Sequence, residues 1–428
     1  MQKQLSQIFV LTFIALLLQL PGGVFHLYFG RLAYAKDLIS IIAVVIGGGY
    51  LLRNKNIVNK PYFLVLFLGL VVLQMLPMLL RVDGLLLGKW ILLWSVAYLM
   101  GASAVSASTP VRLIAVIVLL LYLGVECVIG LWEIRNQRFF LEIANTDVTD
   151  AGVELAKMNT LEDVIRVKGL QRNVFQFANL MSLAFVFGMA LVAFGRNAVY
   201  KIIGLPIGLI AIYCVIKSGG RTALVGCLFS FLVIVLVLNK NIRDNLVWNR
   251  ILLVIFPLAA VLISVAGPHR LAIYVFDLIG YNGAIANLDS TYIRQEVWSF
   301  LWANMLSSPE KLLVGNIVPA LMSGFEAPII IVDNQFLWFL YHFGVFGAFA
   351  VLISFYFLLF AAIENAKYDS LARIILILLV AQSSGEALGR DSAFYFSALA
   401  LFASIGYSSM KNDIIRPHGR GGHVAFHQ

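Results

Sequence analysis

Residues 289–309 read DSTYIRQEVWSFLWANMLSSP, and residues 332–349, VDNQFLWFLYHFGVFGAF, carry the chain from a polar loop into a long apolar run. The first stretch combines charges with an amphipathic pattern, and the second is typical of a segment that crosses a membrane. A polar segment is therefore followed directly by a predicted membrane helix. We expect the chemistry of the protein near this junction.

Composition sets the class of the whole 428-residue chain. Apolar residues make up 61% of it and charged residues only 12%, as in integral membrane proteins. The apolar runs are about 16–25 residues long, which fits membrane helices and not the short alternating strands of a membrane barrel. Lipid also excludes the sheets of an α/β enzyme. We predict an all-α polytopic membrane protein, with residues 1–428 forming a single membrane domain.

About twelve transmembrane helices are predicted from the apolar runs. Their bounds are approximately 6–24, 37–52, 62–80, 85–103, 112–132, 174–194, 201–217, 222–238, 251–267, 334–362, 372–386 and 392–408. Both termini then lie on one side, which basic residues in the short loops mark as cytoplasmic. The formal net charge of +9 is explained by this topology, and no nucleic-acid partner is expected.

Two longer polar segments remain on the opposite, periplasmic side: residues 133–172 and residues 268–333. The first carries nearly balanced charge, and we expect a short helix in it around Gly152–Val167. The second contains an amphipathic helix that begins at an Asp289 or Ser290 cap.

The amphipathic helix is expected to end at Ser307-Ser308-Pro309, because proline does not continue a helix. Leu301 lies on its apolar stripe, with Trp298 and Trp302 beside it. Tryptophan is enriched at headgroup level, so this helix is expected to lie at the membrane surface.

Four arginines are predicted to lie on the periplasmic side: Arg172, Arg221, Arg294 and Arg390. A charge in or beside the membrane is costly unless it is paired or solvated. Snorkelling at the interface would explain isolated lysines such as Lys89 or Lys217. Four guanidinium groups on one side instead favour an anionic ligand, because arginine binds phosphate and pyrophosphate with two parallel hydrogen bonds.

One of these arginines follows a short glycine turn, Lys217-Ser218-Gly219-Gly220-Arg221-Thr222. The turn lacks the GK[ST] ending of a phosphate-binding P-loop, and a tight connection between two helices is the simpler interpretation. Its backbone N–H groups could still approach a phosphate where the next helix begins. The cysteines Cys127, Cys214 and Cys227 lie in apolar runs without metal-site spacing, so we interpret them as small core residues that indicate neither a metal nor a cofactor.

Four elements, taken in order, resemble the O-antigen ligase and polymerase superfamily. RNVFQFAN at 172–179 looks like the family's "pN-lA" helix start, although the proline is missing, and SGGRTALVG at 218–226 looks like its SxxR element. The series Arg294, Trp298, Pro309 and Gly315 resembles an R…W…P…G segment of the large periplasmic loop. Asp333-Asn334, nine residues, Gly344, two residues and Gly347 is similar to the family's [His/Asp]-Asn-x9-Gly-x-x-Gly element.

The resemblance implies a GT-C-like glycosyltransferase at the periplasmic face of the bacterial inner membrane. Its donor would be an undecaprenyl-pyrophosphate-linked glycan, with no nucleotide sugar or metal. Polymerases of the family pass the growing chain to the next lipid-linked repeat unit, whereas ligases pass it to lipid A–core. Family ligases have histidine where this chain has Asp333, so a polymerase of O-antigen or exopolysaccharide is favoured and a ligase is the alternative. A chain-length regulator would be a further partner.

The expected mechanism assigns roles to these residues. Arg221 and Arg294 hold the donor pyrophosphate, and Asp333 accepts the proton of the attacking hydroxyl as the anomeric carbon inverts. Asn334 orients the sugar or Asp333. Helix capping is the structural alternative for Asp333, and His342 is the alternative base. The other candidate substrate-binding residues are Arg172, Asn179, Ser218, Gly219, Gly220, Trp298 and Arg390.

A transporter or flippase for a lipid-linked or anionic substrate is the competing class of function. A transporter needs polar groups near the middle of the membrane. The charges of this chain instead cluster toward one face, which favours the enzyme.

Overall fold

The protein is described by a computed structural model. The structure describes residues 2–18, 35–53, 92, 95–96, 99–100, 103, 107–141, 160–161, 164–171, 174–194, 198–238, 299–315, 340–341 and 344–345. Its helices are α1 (Gln2–Leu17), α2 (Ala35–Arg53), α3 (Thr109–Asn136), α4 (Val174–Phe194), α5 (Ala198–Ser218), α6 (Arg221–Leu238) and α7 (Pro309–Val314). Residues 299–306 are also helical.

Three of the described helices are long and apolar enough to cross a membrane. They cover Pro110–Asn136, Val174–Ala193 and Lys201–Ser218, within α3, α4 and α5. Shorter apolar helices cover Lys3–Leu17 and Ala223–Leu236. The predicted membrane-helix class is therefore confirmed for the described part of the chain.

Most helix bounds agree closely with the apolar runs, but α1 begins at Gln2 and ends at Leu17, whereas the predicted run was 6–24. The run 174–194 coincides with α4, while the runs 201–217 and 222–238 differ from α5 and α6 by at most three residues at either end. α3 is longer than its predicted bounds of 112–132 and ends at Asn136. Glu133, expected in the first long segment, thus belongs to the last turn of a membrane helix.

The predicted helix over Gly152–Val167 is wrong where the structure describes it. Strand β1 (Thr160–Leu161) pairs antiparallel with β2 (Val164–Ile165), and Thr160 faces Ile165 in the ladder. Three of these four residues are β-branched, and a two-residue connection is the usual length for a hairpin. The other regular elements that the structure describes are helices, so the all-α assignment holds there apart from this one small ladder.

α4 is the central helix of the described bundle, and it packs most extensively against α5. The two backbones approach closely because glycines face one another: a Cβ added at Gly188 would lie 2.7 Å from both the carbonyl oxygen of Gly204 and the backbone nitrogen of Gly208. Small residues at helix contacts are how membrane helices gain close packing when lipid offers no hydrophobic driving force. Any larger side chain at Gly188 would separate α4 from α5.

α3 buries its two glutamates and exposes a set of apolar side chains to the surroundings. Leu121, Val125 and Val128 are each at least half exposed, whereas Glu126 and Glu133 are buried. This inverted arrangement is expected for a helix surrounded by lipid, because ionisable groups in a membrane face the protein interior. The buried carboxyl groups of α3 then define the polar end of the bundle.

The two ends of α3 have different neighbours. At its start, the Ser108 backbone N–H donates to Ser6 Oγ at 3.0 Å, so the beginning of α1 lies there. At its other end, Glu133 contacts residues 168 and 169, just before α4 begins. The end of α5 and the start of α6 also lie at this second end, because Arg166 Nε donates to the carbonyl oxygen of Ser218.

The predicted amphipathic helix is described over residues 299–306 and ends as the sequence predicts, while its expected start at Asp289 or Ser290 lies outside the described residues. Ser307 follows as a turn, and Ser308 caps α7 by accepting a hydrogen bond from the Lys311 N–H at 3.2 Å. Leu301 and Met305 are buried while Trp302 is exposed, in keeping with an amphipathic helix.

The remaining helix predictions fall largely or wholly outside the described residues. These are 62–80, 251–267, 372–386 and 392–408, most of 85–103 and all but four residues of 334–362. The number of about twelve spans therefore stays a prediction.

Candidate functional site

The turn Ser218–Gly220 joins α5 to α6 at one end of the described bundle. Gly219 adopts φ +68°, a conformation that favours glycine, and its N–H donates to the Ile216 carbonyl at 3.0 Å. The buried Ser218 hydroxyl donates to Val215 O at 2.7 Å and accepts from the Gly220 N–H at 3.3 Å. These hydrogen bonds close the end of α5, and α6 begins at Arg221, immediately after the turn.

Gly220 packs directly on α4. A Cβ added at Gly220 would overlap the Cβ of Ala178, so only glycine fits beside this helix. Asn179 is the next residue of α4; it is buried, and its carbonyl accepts a hydrogen bond from Ser182 Oγ at 2.7 Å. Residues from the two separate motifs 172–179 and 218–226 are thus neighbours in the fold.

Arg166 contacts the same turn from a different part of the chain. Its Nε donates to the Ser218 carbonyl oxygen at 2.8 Å. A Cβ added at Gly219 would lie 3.2 Å from Nε and 3.2 Å from Nη2 of this guanidinium. The guanidinium of Arg166, a residue of the first long segment, therefore lies against the turn.

We call residues 166–171 the strap, because two glutamates of α3 bind its backbone. Glu133 Oε2 accepts hydrogen bonds from the N–H groups of Lys168 at 2.8 Å and Gly169 at 3.0 Å. Glu133 Oε1 accepts from the Phe140 N–H at 2.9 Å. One buried carboxyl group thus satisfies three backbone donors that would otherwise be costly to bury.

Glu126 binds the other end of the strap. Its Oε2 accepts from the Leu170 N–H at 3.0 Å, and its Oε1 accepts from Tyr122 Oη at 2.6 Å and Gln171 Nε2 at 2.6 Å. Gln171 Nε2 also donates to Tyr122 Oη at 2.8 Å. This closed network fixes the strap one residue before Arg172.

Lys168 points from the strap into the protein. Its Nζ donates to the Leu141 carbonyl at 2.8 Å and stands 4.9 Å from the centre of the Phe139 ring. Burial lowers the pKa of the Lys168 ammonium to about 8, although the nearby Glu133 carboxyl acts in the opposite direction. The strap therefore carries a side chain whose pKa is close to physiological pH.

A second close contact joins the segment 299–315 to residues 344–345. Gly344 has φ +64°, and a Cβ added to it would overlap the Leu313 carbonyl group and lie 2.5 Å from the Gly315 backbone nitrogen. Gly315 and Gly344 belong to two different elements of the family resemblance. The backbones of these two elements touch at Gly344, and the contact leaves no room for a side chain there.

The predicted site residues are only partly described. Ser218, Gly219, Gly220 and Asn179 lie together around the turn, and Arg221 is described through its backbone as the start of α6. The other candidates lie outside the described residues: Arg172, Arg294, Trp298, Asp333, Asn334, His342 and Arg390. Their roles stay predictions.

Sequence reasoning missed Arg166 and the two glutamates of α3. Glu126 did carry a signal, because it is an acidic residue within the apolar run 112–132, and such residues face polar partners inside the protein. Tyr122 stands one helical turn before it, at the spacing of a side-chain pair. Arg166 carried no such signal, since its partner Ser218 is 52 residues away.

Metal-binding groups do not gather in the described part of the protein, where no three His, Cys, Asp or Glu side chains come together. Cys127, Cys214 and Cys227 are buried and free, as expected of core residues. The chemistry available around the turn is hydrogen bonding and positive charge.

The chain matches no protein-family model and no curated protein.

Proposed function

We propose that the protein is a membrane glycosyltransferase that lengthens lipid-linked oligosaccharide repeat units. The donor is an undecaprenyl-pyrophosphate-linked glycan, and the acceptor is the next lipid-linked repeat unit. The reaction takes place at the periplasmic face of the inner membrane, with both termini in the cytoplasm. The proposal rests first on four motifs that occur in the order of the O-antigen ligase and polymerase superfamily.

The observation that carries the proposal furthest is the packing of Gly220 on Ala178. These residues come from two of the four motifs, which are separated by about forty residues in the chain. Their contact supports a common site, because motif residues that act on one substrate must lie near one another. The touching backbones of Gly344 and Gly315 support the proposal in the same way.

In the proposed mechanism, Arg221 and Arg294 bind the pyrophosphate of the donor. A hydroxyl oxygen of the acceptor sugar attacks C1 of the donor sugar, and the bond from C1 to the phosphate oxygen breaks. The electron pair leaves with undecaprenyl pyrophosphate, whose growing negative charge the two guanidinium groups stabilise. The C1 configuration inverts, because attack and departure occur on opposite faces.

Asp333 is the proposed general base. Its carboxylate accepts the hydroxyl proton as the new glycosidic bond forms. Asn334 orients the acceptor sugar or the carboxylate, and His342 is the alternative base. Arg172 and Arg390 are proposed as further ligands of the phosphates.

Deletion of the gene tests the physiological reaction. We expect the glycan ladder of the deletion strain to collapse to single repeat units on the acceptor. Full-length glycan that accumulates on undecaprenyl pyrophosphate would instead indicate a ligase that uses lipid A–core. An unchanged ladder would contradict both.

A further inference from the structure

Arg166 caps the end of α5 at the turn that precedes Arg221. Its Nε donates to the carbonyl oxygen of Ser218, the last residue of the helix, at 2.8 Å. The last carbonyl groups of a helix lack partners within it, and the helix dipole favours a cation there. A guanidinium at this position therefore satisfies the carbonyl and complements its negative potential.

Three separate parts of the fold hold Arg166 in place. The hairpin β1–β2 ends at Ile165, immediately before it. The guanidinium carbon stands 5.2 Å from the centre of the Phe175 ring on α4, a cation–π distance. The strap that follows is bound to α3 through Glu133 and Glu126. Arg166 is thus supported by the hairpin, by α3 and by α4.

The link from Arg166 to Arg221 is short. Only Gly219 and Gly220 separate Ser218, whose carbonyl Arg166 binds, from the first residue of α6. Gly219 lies under the guanidinium and Gly220 lies against Ala178, so both residues of the turn are confined by close contacts. A shift of the Ser218 carbonyl would therefore be passed to the start of α6.

We propose that Arg166 is a positioning residue that sets the geometry of the Ser218–Gly220 turn and thereby the position of Arg221. The part of this inference that concerns catalysis rests on the proposed function, in which Arg221 binds the departing pyrophosphate. Arg166 itself acts through the turn and need not touch the substrate. The hairpin and the strap then have a definite role, which is to hold a guanidinium against a helix end.

The matched control is Lys217, a cation next to Ser218 whose Nζ stands 5.8 Å from the centre of the Tyr213 ring. Lys217→Ala removes a positive charge from the same end of α5 but leaves the hydrogen bond from Arg166 to Ser218. Lys168→Met is a second control, since Lys168 belongs to the strap but donates to Leu141 and not to the turn.

A double-mutant cycle tests the catalytic part. Arg166→Ala should lower kcat for repeat-unit lengthening by about tenfold, the size expected for a lost hydrogen bond from a charged donor. The loss should appear in kcat more than in KM, because the pyrophosphate gains charge in the transition state. In an Arg221→Lys background, which keeps the charge but loses the two-pronged donor, Arg166→Ala should cost much less. Equal losses in both backgrounds, within about twofold, would overturn the inference.

An activity-independent measurement tests the turn itself. In an Arg221→Cys protein, the rate of labelling by a membrane-impermeant maleimide should change several-fold on Arg166→Ala and stay unchanged on Lys217→Ala. The native cysteines Cys127, Cys214 and Cys227 are buried, and the labelling of the parent protein provides the background. An unchanged labelling rate with Arg166→Ala would overturn the positioning role.

The two measurements separate failure of the inference from failure of the proposed function. A change in maleimide labelling without any repeat-unit lengthening by the parent protein would contradict the function and leave the positioning role intact. Normal lengthening with additive mutational losses would contradict the positioning role alone. Arg166→Lys tests whether the effect is due to misfolding, because it retains the positive charge and loses the donation from Nε. We expect a yield of monodisperse protein close to that of the parent. The rate of maleimide labelling of the introduced thiol in the Arg221→Cys background should still differ from that of the parent.

Discussion

The backbone of Gly220 lies directly against the side chain of Ala178, so the turn before α6 is pressed onto α4. Because α4 is the central helix of the described bundle, this contact ties the candidate site to the most buried part of the protein. The contact leaves no room for a side chain at position 220. Substitution there tests whether the turn must sit this close.

Gly220→Val is expected to lower the free energy of unfolding by about 1–3 kcal/mol, the usual cost of overpacking. It should also reduce repeat-unit lengthening, because the turn would move away from α4 together with Arg221. The measurement is the thermal unfolding midpoint of the purified protein in detergent, alongside its activity. Gly124→Ala is the matched control, since a Cβ added there meets nothing within 4 Å. Equal effects of the two substitutions would contradict the close contact.

Glu133→Ala is expected to destabilise the protein by about 3 kcal/mol or more, because it leaves buried backbone donors without an acceptor. The affected N–H groups are those of Phe140, Lys168 and Gly169. Glu133→Gln keeps one acceptor oxygen and should lose less. Limited proteolysis in the strap should become faster in the same order as the loss of stability.

Glu310→Gln serves as the control for the loss of an acidic residue, because Glu310 is exposed at the start of α7. Its unfolding midpoint should match that of the parent protein. A Glu133→Ala protein as stable as Glu310→Gln would show that the strap does not depend on this carboxyl group.

The pKa of Lys168 predicts a pH dependence of stability. An unfolded lysine has a pKa of about 10.4, and burial lowers that of Lys168 to about 8 in the folded protein. Between these values the unfolded chain binds more protons, so this residue makes the free energy of unfolding rise as pH increases from about 8 to about 10. Lys168→Met should abolish that rise.

The measurement is the difference in unfolding midpoint between parent and Lys168→Met proteins across this pH range. As pH rises, the unfolding midpoint of the parent should increase relative to that of Lys168→Met, because the parent's lysine becomes neutral and still donates to Leu141. Lys201→Met controls for the removal of an exposed lysine. A difference that stays constant with pH would show that Lys168 is not titrating in the folded state.

Gly344→Ala is expected to separate the segment 299–315 from residues 344–345. Alanine is disfavoured at φ +64° by about 1–2 kcal/mol, and its Cβ would also overlap the Leu313 carbonyl. We expect a lower unfolding midpoint and a loss of lengthening activity. Gly48→Ala is the control, because a Cβ added at Gly48 has open space. Full activity of Gly344→Ala would contradict a role for this contact.

The fold was predictable where one local pattern decided it. The run 174–194 coincides with α4 because about twenty apolar residues suffice to form a membrane helix without any long-range contact. The α5–α6 turn was predictable because Gly219-Gly220 can end one helix and begin another. The Gly152–Val167 helix was wrong at its described end, where β-branched residues pair across a short connection and charge balance gave no hint of it.

The site was less predictable because its contacts join distant parts of the chain. Arg166 and Ser218 are 52 residues apart, and Gln171 and Glu126 are 45 apart. The sequence distinguishes arginines only by their position relative to the predicted helices. It therefore favours Arg172 over Arg166 as a candidate site residue. Only the packing of α3, α4 and α5 shows which cation meets the turn.

Repeat-unit lengthening by the purified protein tests the central claim most directly. The protein would be given an undecaprenyl-pyrophosphate-linked repeat unit as both donor and acceptor, with no nucleotide sugar, and the products would be separated by length. We predict a ladder of longer lipid-linked glycans, which Arg221→Ala, Arg294→Ala and Asp333→Asn each abolish while leaving the protein folded. No lengthening by the parent protein, or normal chain lengths from the arginine variants, would contradict the account.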